Sequence, residues 1–337
     1  MSGGEVIRVE SLVKSYGDGG EVGPISLTVR RGDVYGFVGP NGSGKTTTIR
    51  AILGLLRPTS GRVEVFGMDP WKESKRVNAL IGYSPELPSF PSFLTARQVL
   101  EITGRLKGLS GSELKREVER VLDLTGLVNH AGRRIGNFSK GMVQRLSIGQ
   151  ALIGDPELLV LDEPMLGVDP VGRVQIREIL LDVRRRGTTI LFSSHELYEV
   201  ERLATRIGMV YLGRTVLEGG IEEVLHHNGS LRVKAVTRSA PGEEVIESLR
   251  RIGGVRDVRA DGNSVTVVAD DSVDVRDQVA ERLVLSGCGL LEFRTERSSL
   301  EEVFMGRVRC GRRTREGTRS PMASRWSPST EQEPRAG

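Results

Sequence analysis

The chain has 337 residues, of which 38% are hydrophobic and 27% charged, with a formal net charge of +4 and a sequence pI ≈ 9.2. These are the proportions of a soluble globular protein with room for more than one domain, and no apolar run reaches the ~18–20 residues that cross a bilayer. The basic surplus belongs to one end: residues 307–337 hold eight arginines, three glutamates and no Lys or Asp, which leaves the remainder at −1 and without the basic stripe of a nucleic-acid binder.

The opening residues carry no charged-then-apolar leader pattern, so the chain is expected to stay in the cytoplasm. Cys288 and Cys310 form no metal or disulfide framework and suit a reducing compartment. Strand-like runs alternate with helical patterns from about residue 5 to 220, which predicts an α/β domain.

Within that domain, Val34–Val38 reads as a buried strand, and Thr47–Leu56 as a helix start. Between them lies Gly39-Pro40-Asn41-Gly42-Ser43-Gly44-Lys45-Thr46, a complete G-x-x-x-x-G-K-[ST] phosphate-binding loop. Strand, glycine-rich turn and helix N-terminus aim backbone N–H groups and the positive helix end at one point, where a polyphosphate sits. Gly42 and Gly44 supply backbone conformations barred to residues with a Cβ. Lys45 reaches the β- and γ-phosphates, and the Thr46 hydroxyl is suited to hold Mg²⁺. The loop alone names neither the nucleotide nor its fate.

From about 93 to 155 the pattern turns helical, as in Glu113–Leu124 and Lys140–Ile153, and predicts a helical insertion. Ser139 is a good N-cap for the second of these, and the N–H groups of the following turn form a further anion site. Taken alone, that is simply a helix start. The strand Leu158–Leu161 ends in Asp162-Glu163: Asp162 is suited to hold Mg²⁺ directly or through water, and Glu163 to orient and deprotonate an attacking water. The strand Thr188–Phe192 ends in Ser193-Ser194-His195-Glu196, where a neutral His195 is placed to contact a γ-phosphate. A strand over Ile207–Leu212 closes the domain.

The hydrophilic junction 226–230 opens a second unit. It reads strand (Leu231–Val236), helix (Gly242–Ile252), strand (Val255–Arg259), strand (Ser264–Ala269), helix (Val273–Leu285) and strand (Leu290–Arg294), the βαββαβ order of a ferredoxin-like α+β domain. Beyond Phe304 the composition is rich in Arg, Ser, Pro and Thr, and disorder is expected over 306–337. That tail either touches anionic lipid or is a solvated extension.

These motifs, in unbroken order over residues 5 to about 220, resemble the ATP-binding subunit of ABC transporters. Gly39–Thr46, with Thr47 following, looks like the Walker A loop, Leu158–Asp162 like Walker B and Glu163 like its catalytic glutamate. Ser139–Met142 looks like the signature motif, Gly167-Val168-Asp169-Pro170 like the D-loop, and His195 like the switch histidine. Tyr16 matches the aromatic that stacks on adenine, although core packing is the ordinary role of a lone tyrosine.

The resemblance implies a P-loop ABC ATPase core with a helical subdomain over about 93–155 of an ATP-binding domain 1–222, plus an accessory domain at 230–305. It implies ATP and Mg²⁺ as ligands. It also implies a second ATPase subunit, in a homodimer whose Ser139 and Gly141 complete the partner's site, with Asp169 beside them. Coupling is to a separately encoded transmembrane permease at the cytoplasmic face of the membrane, with no nucleic acid involved.

The chain departs from the family pattern in two places. The signature motif, usually Leu-Ser-Gly-Gly-Gln, is Phe138-Ser139-Lys140-Gly141-Met142, which adds a cation and removes a polar side chain. Glu86, in Ser84-Pro85-Glu86, stands at the usual Q-loop glutamine, where a carboxylate still offers oxygen to Mg²⁺. Together with Ser299-Leu300-Glu301-Glu302-Val303-Phe304 after a βαββαβ unit, these look like ABC-2-type exporters, similar to the daunorubicin-resistance and sodium-extrusion ATPases. Residues Leu87–Leu100, with Phe90, Phe93 and Leu94, are expected either to receive the permease or to pack inside the helical subdomain.

Non-transport ABC ATPases of translation or DNA repair are the alternative, but they carry paired cassettes or coiled-coil insertions, and this chain has neither. A P-loop kinase or GTPase would leave Glu163 and His195 unexplained, and no Asn-Lys-x-Asp guanine-reading motif is present.

Overall fold

The computed structural model describes residues 4–307 apart from 18, 227–229, 271–272 and 297–298. In chain order the first elements are β1 (Glu5–Ser15), β2 (Glu21–Arg30), β3 (Val34–Val38), α1 (Lys45–Ile52), β4 (Ser60–Val65), α2 (Ser74–Ala79) and β5 (Ile81–Ser84). The helical stretch follows as α3 (Ala96–Leu106), α4 (Gly111–Leu124) and α5 (Lys140–Leu152). Then come β6 (Leu158–Leu161), α6 (Pro170–Arg185), β7 (Thr189–Ser194), α7 (Leu197–Leu203), β8 (Arg206–Tyr211), β9 (Arg214–Gly220) and α8 (Ile221–His226).

β5-β6-β7-β3-β8-β9 form a six-stranded sheet, parallel except for β9, which pairs antiparallel with β8. The five residues of β3 and the four of β6 are all buried, which is why these runs are apolar throughout rather than alternating. Side chains of β6 point alternately to two cores. Leu158 and Val160 pack with α1 and with a three-stranded antiparallel sheet of order β2-β1-β4; Leu159 and Leu161 pack with α3, α4, α5 and α6. The central sheet is thereby covered on both faces.

The parallel arrangement decides where the motifs meet. Gly39 follows β3, Glu86 lies just beyond β5, Asp162 follows β6 and His195 follows β7. Register pairs Val38 with Ser194, Leu161 with Phe192 and Ser84 with Leu161, so four carboxyl ends lie side by side. Ligand sites of open α/β sheets sit at that edge.

The last elements are β10 (Ser230–Thr237), α9 (Glu243–Arg250), β11 (Val255–Asp261), β12 (Ser264–Asp270), α10 (Arg276–Leu285) and β13 (Leu290–Glu296). Their antiparallel sheet has the order β11-β12-β10-β13. Its core is separate, with Val233, Ala235, Val265 and Val267 facing Leu249, Val279 and Leu283.

A final helix over 300–307 returns to the first unit. Leu300 and Val303 are fully buried in the core that holds Leu203, Ile221 and Val224, and the Phe304 ring meets Tyr211 edge-on with centroids 5.9 Å apart. The rest of the Arg-rich stretch, 308–337, lies outside the described residues. Among the described residues, no helix is long and apolar enough to cross a membrane.

Candidate nucleotide site

Residues 39–46 wrap the start of α1. Gly44 caps that helix with φ +102°, and a Cβ on it would come 2.5 Å from Val22 Cγ1. A Cβ on Gly39 would lie 2.3 Å from the Val210 carbonyl oxygen. α1 has no side-chain cap and no acid in its first turn, so its first N–H groups face the loop's interior. The Ser43 hydroxyl of the same loop is buried with no hydrogen-bond partner among the described residues, an orphaned polar atom that a phosphate oxygen suits.

A cavity of ≈ 400 Å³ opens over the loop, and Asn41, Gly42, Gly44, Lys45, Thr46, Thr47, Glu86, Glu163 and His195 line it. Lys45 Nζ donates to the Gly39 carbonyl at 2.6 Å and to Pro40 at 3.3 Å, and lies 3.2 Å from Glu163 Oε1. His195 Nδ1 is 2.9 Å from Glu163 Oε2. Lys45, Glu163 and His195 therefore meet over the loop. The Tyr16 hydroxyl lies 3.1 Å from Thr47 Oγ1, and the residue is 40% exposed rather than packed in the core.

Asp162 is buried behind this surface, and what holds it was not legible in the motifs. The Ser193 hydroxyl donates to Asp162 Oδ1 at 2.6 Å and accepts the Glu163 N–H at 2.8 Å. Glu163 itself sits at φ +47°, a left-handed conformation that a glutamate rarely adopts and that costs on the order of 1 kcal/mol or more. Ser193 thus holds both carboxylate residues from one atom. Its only sequence signal was its position two residues before His195.

Thr46, Asp162 and Glu86 offer oxygen donors, the set that suits Mg²⁺. Among the described residues, no group of three or more His, Cys, Asp or Glu is arranged to hold a metal alone. Such a set fits an ion that takes a few protein oxygens and completes its shell with phosphate oxygens and water.

Ser139, Gly141 and Asp169 do not line the cavity; they form a second group with one another. Ser139 caps α5, its hydroxyl accepting the Met142 N–H at 3.3 Å, and a Cβ on Gly141 would come 3.4 Å from Val168 Cγ1. Asp169 caps α6, accepting the Gly172 N–H at 2.7 Å. The two unusual signature residues separate here. Met142 turns inward into the core, where a methionine replaces a polar residue without leaving a buried donor unpaired. Lys140 lies across Gly167, whose Cβ, if present, would be 2.1 Å from the ammonium nitrogen.

Of the aromatic stretch after Glu86, Leu87 and Phe93 are 71% and 70% exposed, whereas Phe90 and Leu94 pack against the core. The packing expectation therefore holds for Phe90 and Leu94, while Leu87 and Phe93 lie at the surface.

The description "ABC transporter" matches residues 22–166 as a protein family. The chain is 41% identical over 214 residues to the bacitracin transport ATP-binding protein BcrA of Bacillus licheniformis, covering 63% of this chain and 69% of that one. It is 33% identical over 310 residues to the daunorubicin resistance ATP-binding protein DrrA3 of Streptomyces coeruleorubidus, covering 92% and 98%. Among solved structures, an ATP-binding subunit of an ABC transporter aligns with a TM-score of 0.60 at 28% identity, over 66% of this chain and 93% of that one. With the fold, the loop geometry and a relative matched over nearly its whole length in agreement, the chain belongs to the ABC transporter ATP-binding subunits, a family that binds and hydrolyses ATP.

Proposed function

We propose that the chain is the ATPase subunit of an ABC-2-type exporter and acts as a pair of copies beneath a separately encoded permease at the cytoplasmic face of the membrane. The reading is supported by relatives named for bacitracin transport and daunorubicin resistance. The observation that carries it is the convergence of Lys45, Glu163 and His195, within 3.2 and 2.9 Å of one another in sequence-distant pairs, at the mouth of a phosphate loop. Residues 1–222 form the ATP-binding domain with its helical subdomain at about 93–155; the accessory domain expected over 230–305 ends before 300, because the helix over 300–307 packs on the first unit.

In this reading adenine stacks on Tyr16, and the phosphates lie over Gly39–Thr46 and Thr47. Lys45 neutralises the β- and γ-phosphate oxygens. Glu163 orients the attacking water and takes its proton, and His195, held on Glu163, contacts the γ-phosphate. Thr46, Asp162 and Glu86 would hold Mg²⁺, which when bound would supply positive charge against the phosphates. Ser139, Gly141 and Asp169 lie outside this cavity because they serve the second copy's nucleotide. Exposed Leu87 and Phe93 offer the permease an apolar contact.

The test is phosphate release from ATP by the wild-type chain and by Glu163→Gln, with the oligomeric state followed by gel filtration. Hydrolysis lost in the variant together with an ATP-dependent dimer supports the reading. A variant that stays monomeric with ATP overturns the paired site.

A further inference from the structure

Asp169 opens α6, and His195 stands just ahead of α7; one guanidinium holds the neighbour of each. Arg173 Nε donates to the Val168 carbonyl at 3.0 Å, while Nη2 donates to Glu196 Oε1 at 2.9 Å and Nη1 to the other oxygen of the same carboxylate. Glu199, 4% exposed, lies behind them: its carboxylate is 3.8 Å from Arg173 Nη1 and accepts from Arg177 at 2.7 Å.

An exposed ion pair would mean little in this setting. Arg173 is different because its planar fork serves three acceptors in fixed directions, which a lysine's single point charge cannot do. Its acceptors are also not arbitrary. Val168 is bonded directly to Asp169 and packs against Gly141 of the signature segment. Glu196 is bonded directly to His195, and its backbone is pinned by Ser194, whose hydroxyl accepts the Glu196 N–H at 2.9 Å. The path Glu163–His195–Glu196–Arg173–Val168–Asp169 is therefore continuous, made of two hydrogen-bonded contacts at side chains, one at a carbonyl and two peptide links.

We propose that Arg173 is a positioning residue that couples His195 to Asp169, so that a shift of His195 against a γ-phosphate moves the segment facing the second copy's site. The inference rests on the paired-copy reading above, in which Ser139, Gly141 and Asp169 face the partner. Arg173 does not line the cavity over the phosphate loop. It makes the two hydrolytic sites responsive to each other.

The experiment compares wild-type chain with Arg173→Ala, Arg173→Lys and, as a packing control, Arg177→Ala, which removes the neighbouring ion pair but touches neither Val168 nor Glu196. ATP hydrolysis gives kcat, KM and the Hill coefficient; gel filtration with ATP in a Glu163→Gln background gives the dimer; thermal unfolding gives Tm. Arg173→Ala is expected to lower kcat about tenfold or more, with KM within about twofold, and to bring the Hill coefficient toward 1. Arg173→Lys should not restore either value, and Arg177→Ala should change Tm with kcat and the Hill coefficient kept.

Three results would overturn the inference: Arg173→Ala with wild-type kcat and cooperativity, full rescue by lysine, or equal losses in Arg177→Ala. A Glu163→Gln chain that forms no ATP-dependent dimer overturns the paired-copy reading itself. A normal dimer with an unaffected Arg173→Ala overturns this inference alone.

Discussion

Lys45 Nζ lies 3.2 Å from Glu163 Oε1, yet its aligned hydrogen bonds go to the Gly39 and Pro40 carbonyls, and that carboxylate oxygen has no hydrogen-bond partner. The two charges are therefore in contact without being locked together. On the proposed reading, a γ-phosphate entering the cavity would compete with Glu163 for the ammonium. Removing each charge should accordingly do different things.

Lys45→Ala removes the only lysine or arginine among the described residues that line the cavity. Charge-assisted hydrogen bonds contribute about 1.5–3 kcal/mol, so the Kd for ATP should rise by roughly 10- to 100-fold or more. Isothermal titration calorimetry with ATP and Mg²⁺ checks this, and an unchanged Kd would contradict the phosphate-loop role of the lysine.

Glu163→Gln keeps the shape of the site and removes the proton acceptor. ATP affinity should stay within a few-fold of wild type, while kcat falls by about 10²-fold or more. Steady-state phosphate release measures the second effect, and retained turnover would mean that Glu163 is not the base.

Ser193→Ala leaves the buried Asp162 carboxylate short of a donor and the Glu163 N–H short of an acceptor. The expected destabilisation is about 1–3 kcal/mol. Because Glu163 is also released from its left-handed backbone position, kcat should drop while ATP binding persists. Urea denaturation and a kcat–KM comparison read the two effects; wild-type values for both would show that Ser193 positions nothing.

Acid sensitivity should pass partly through Glu117. Burial raises the pKa of its carboxyl, but the Arg120 guanidinium and the Gly154 N–H outweigh that and leave it below the ordinary glutamate value. A carboxyl whose folded pKa is depressed adds stability above its unfolded pKa and loses it as pH falls through the folded one. Glu117→Gln should therefore unfold at lower temperature than wild type at pH 7, with the gap closing below about pH 4. A gap that does not change with pH would remove the ionic explanation.

Leu300→Ala tests whether the final helix belongs to the ATPase core. Leu300 is fully buried among residues of α7 and α8, so the truncation should cost about 2–5 kcal/mol. The loss should appear in the chemical denaturation midpoint of the whole chain. A change smaller than about 0.5 kcal/mol would mean that the helix is only loosely attached.

The motif chemistry was legible from the sequence because each piece is local. A glycine-rich turn needs its glycines wherever it folds, an apolar strand ending in Asp162-Glu163 carries its own boundary, and Ser139 caps α5 through a hydrogen bond three residues away. The alternation of these runs was enough to predict an α/β domain, a helical insertion and a βαββαβ unit. Their bounds differ from the observed ones by a few residues at most: the strand expected at Thr188–Phe192 runs over Thr189–Ser194, and the helix expected from Val273 begins at Arg276. The β2-β1-β4 sheet was less visible, since β1 and β2 each mix buried and exposed residues and β1 has irregular register against both neighbours.

What the sequence determined by itself, then, is the set of chemical groups and the order in which they appear. Only the tertiary structure decided which of them meet. Strand order β5-β6-β7-β3 brought Glu86, Glu163, His195 and Lys45 to one edge, and left Ser139, Gly141 and Asp169 in a separate group. It also turned Met142 into the core, set Ser193 between two carboxylate residues, and joined Val168 to Glu196 through Arg173. Each of these is a contact between residues far apart in the chain or a choice of side-chain direction. Such contacts depend on packing the whole domain, and no local pattern of residues encodes them.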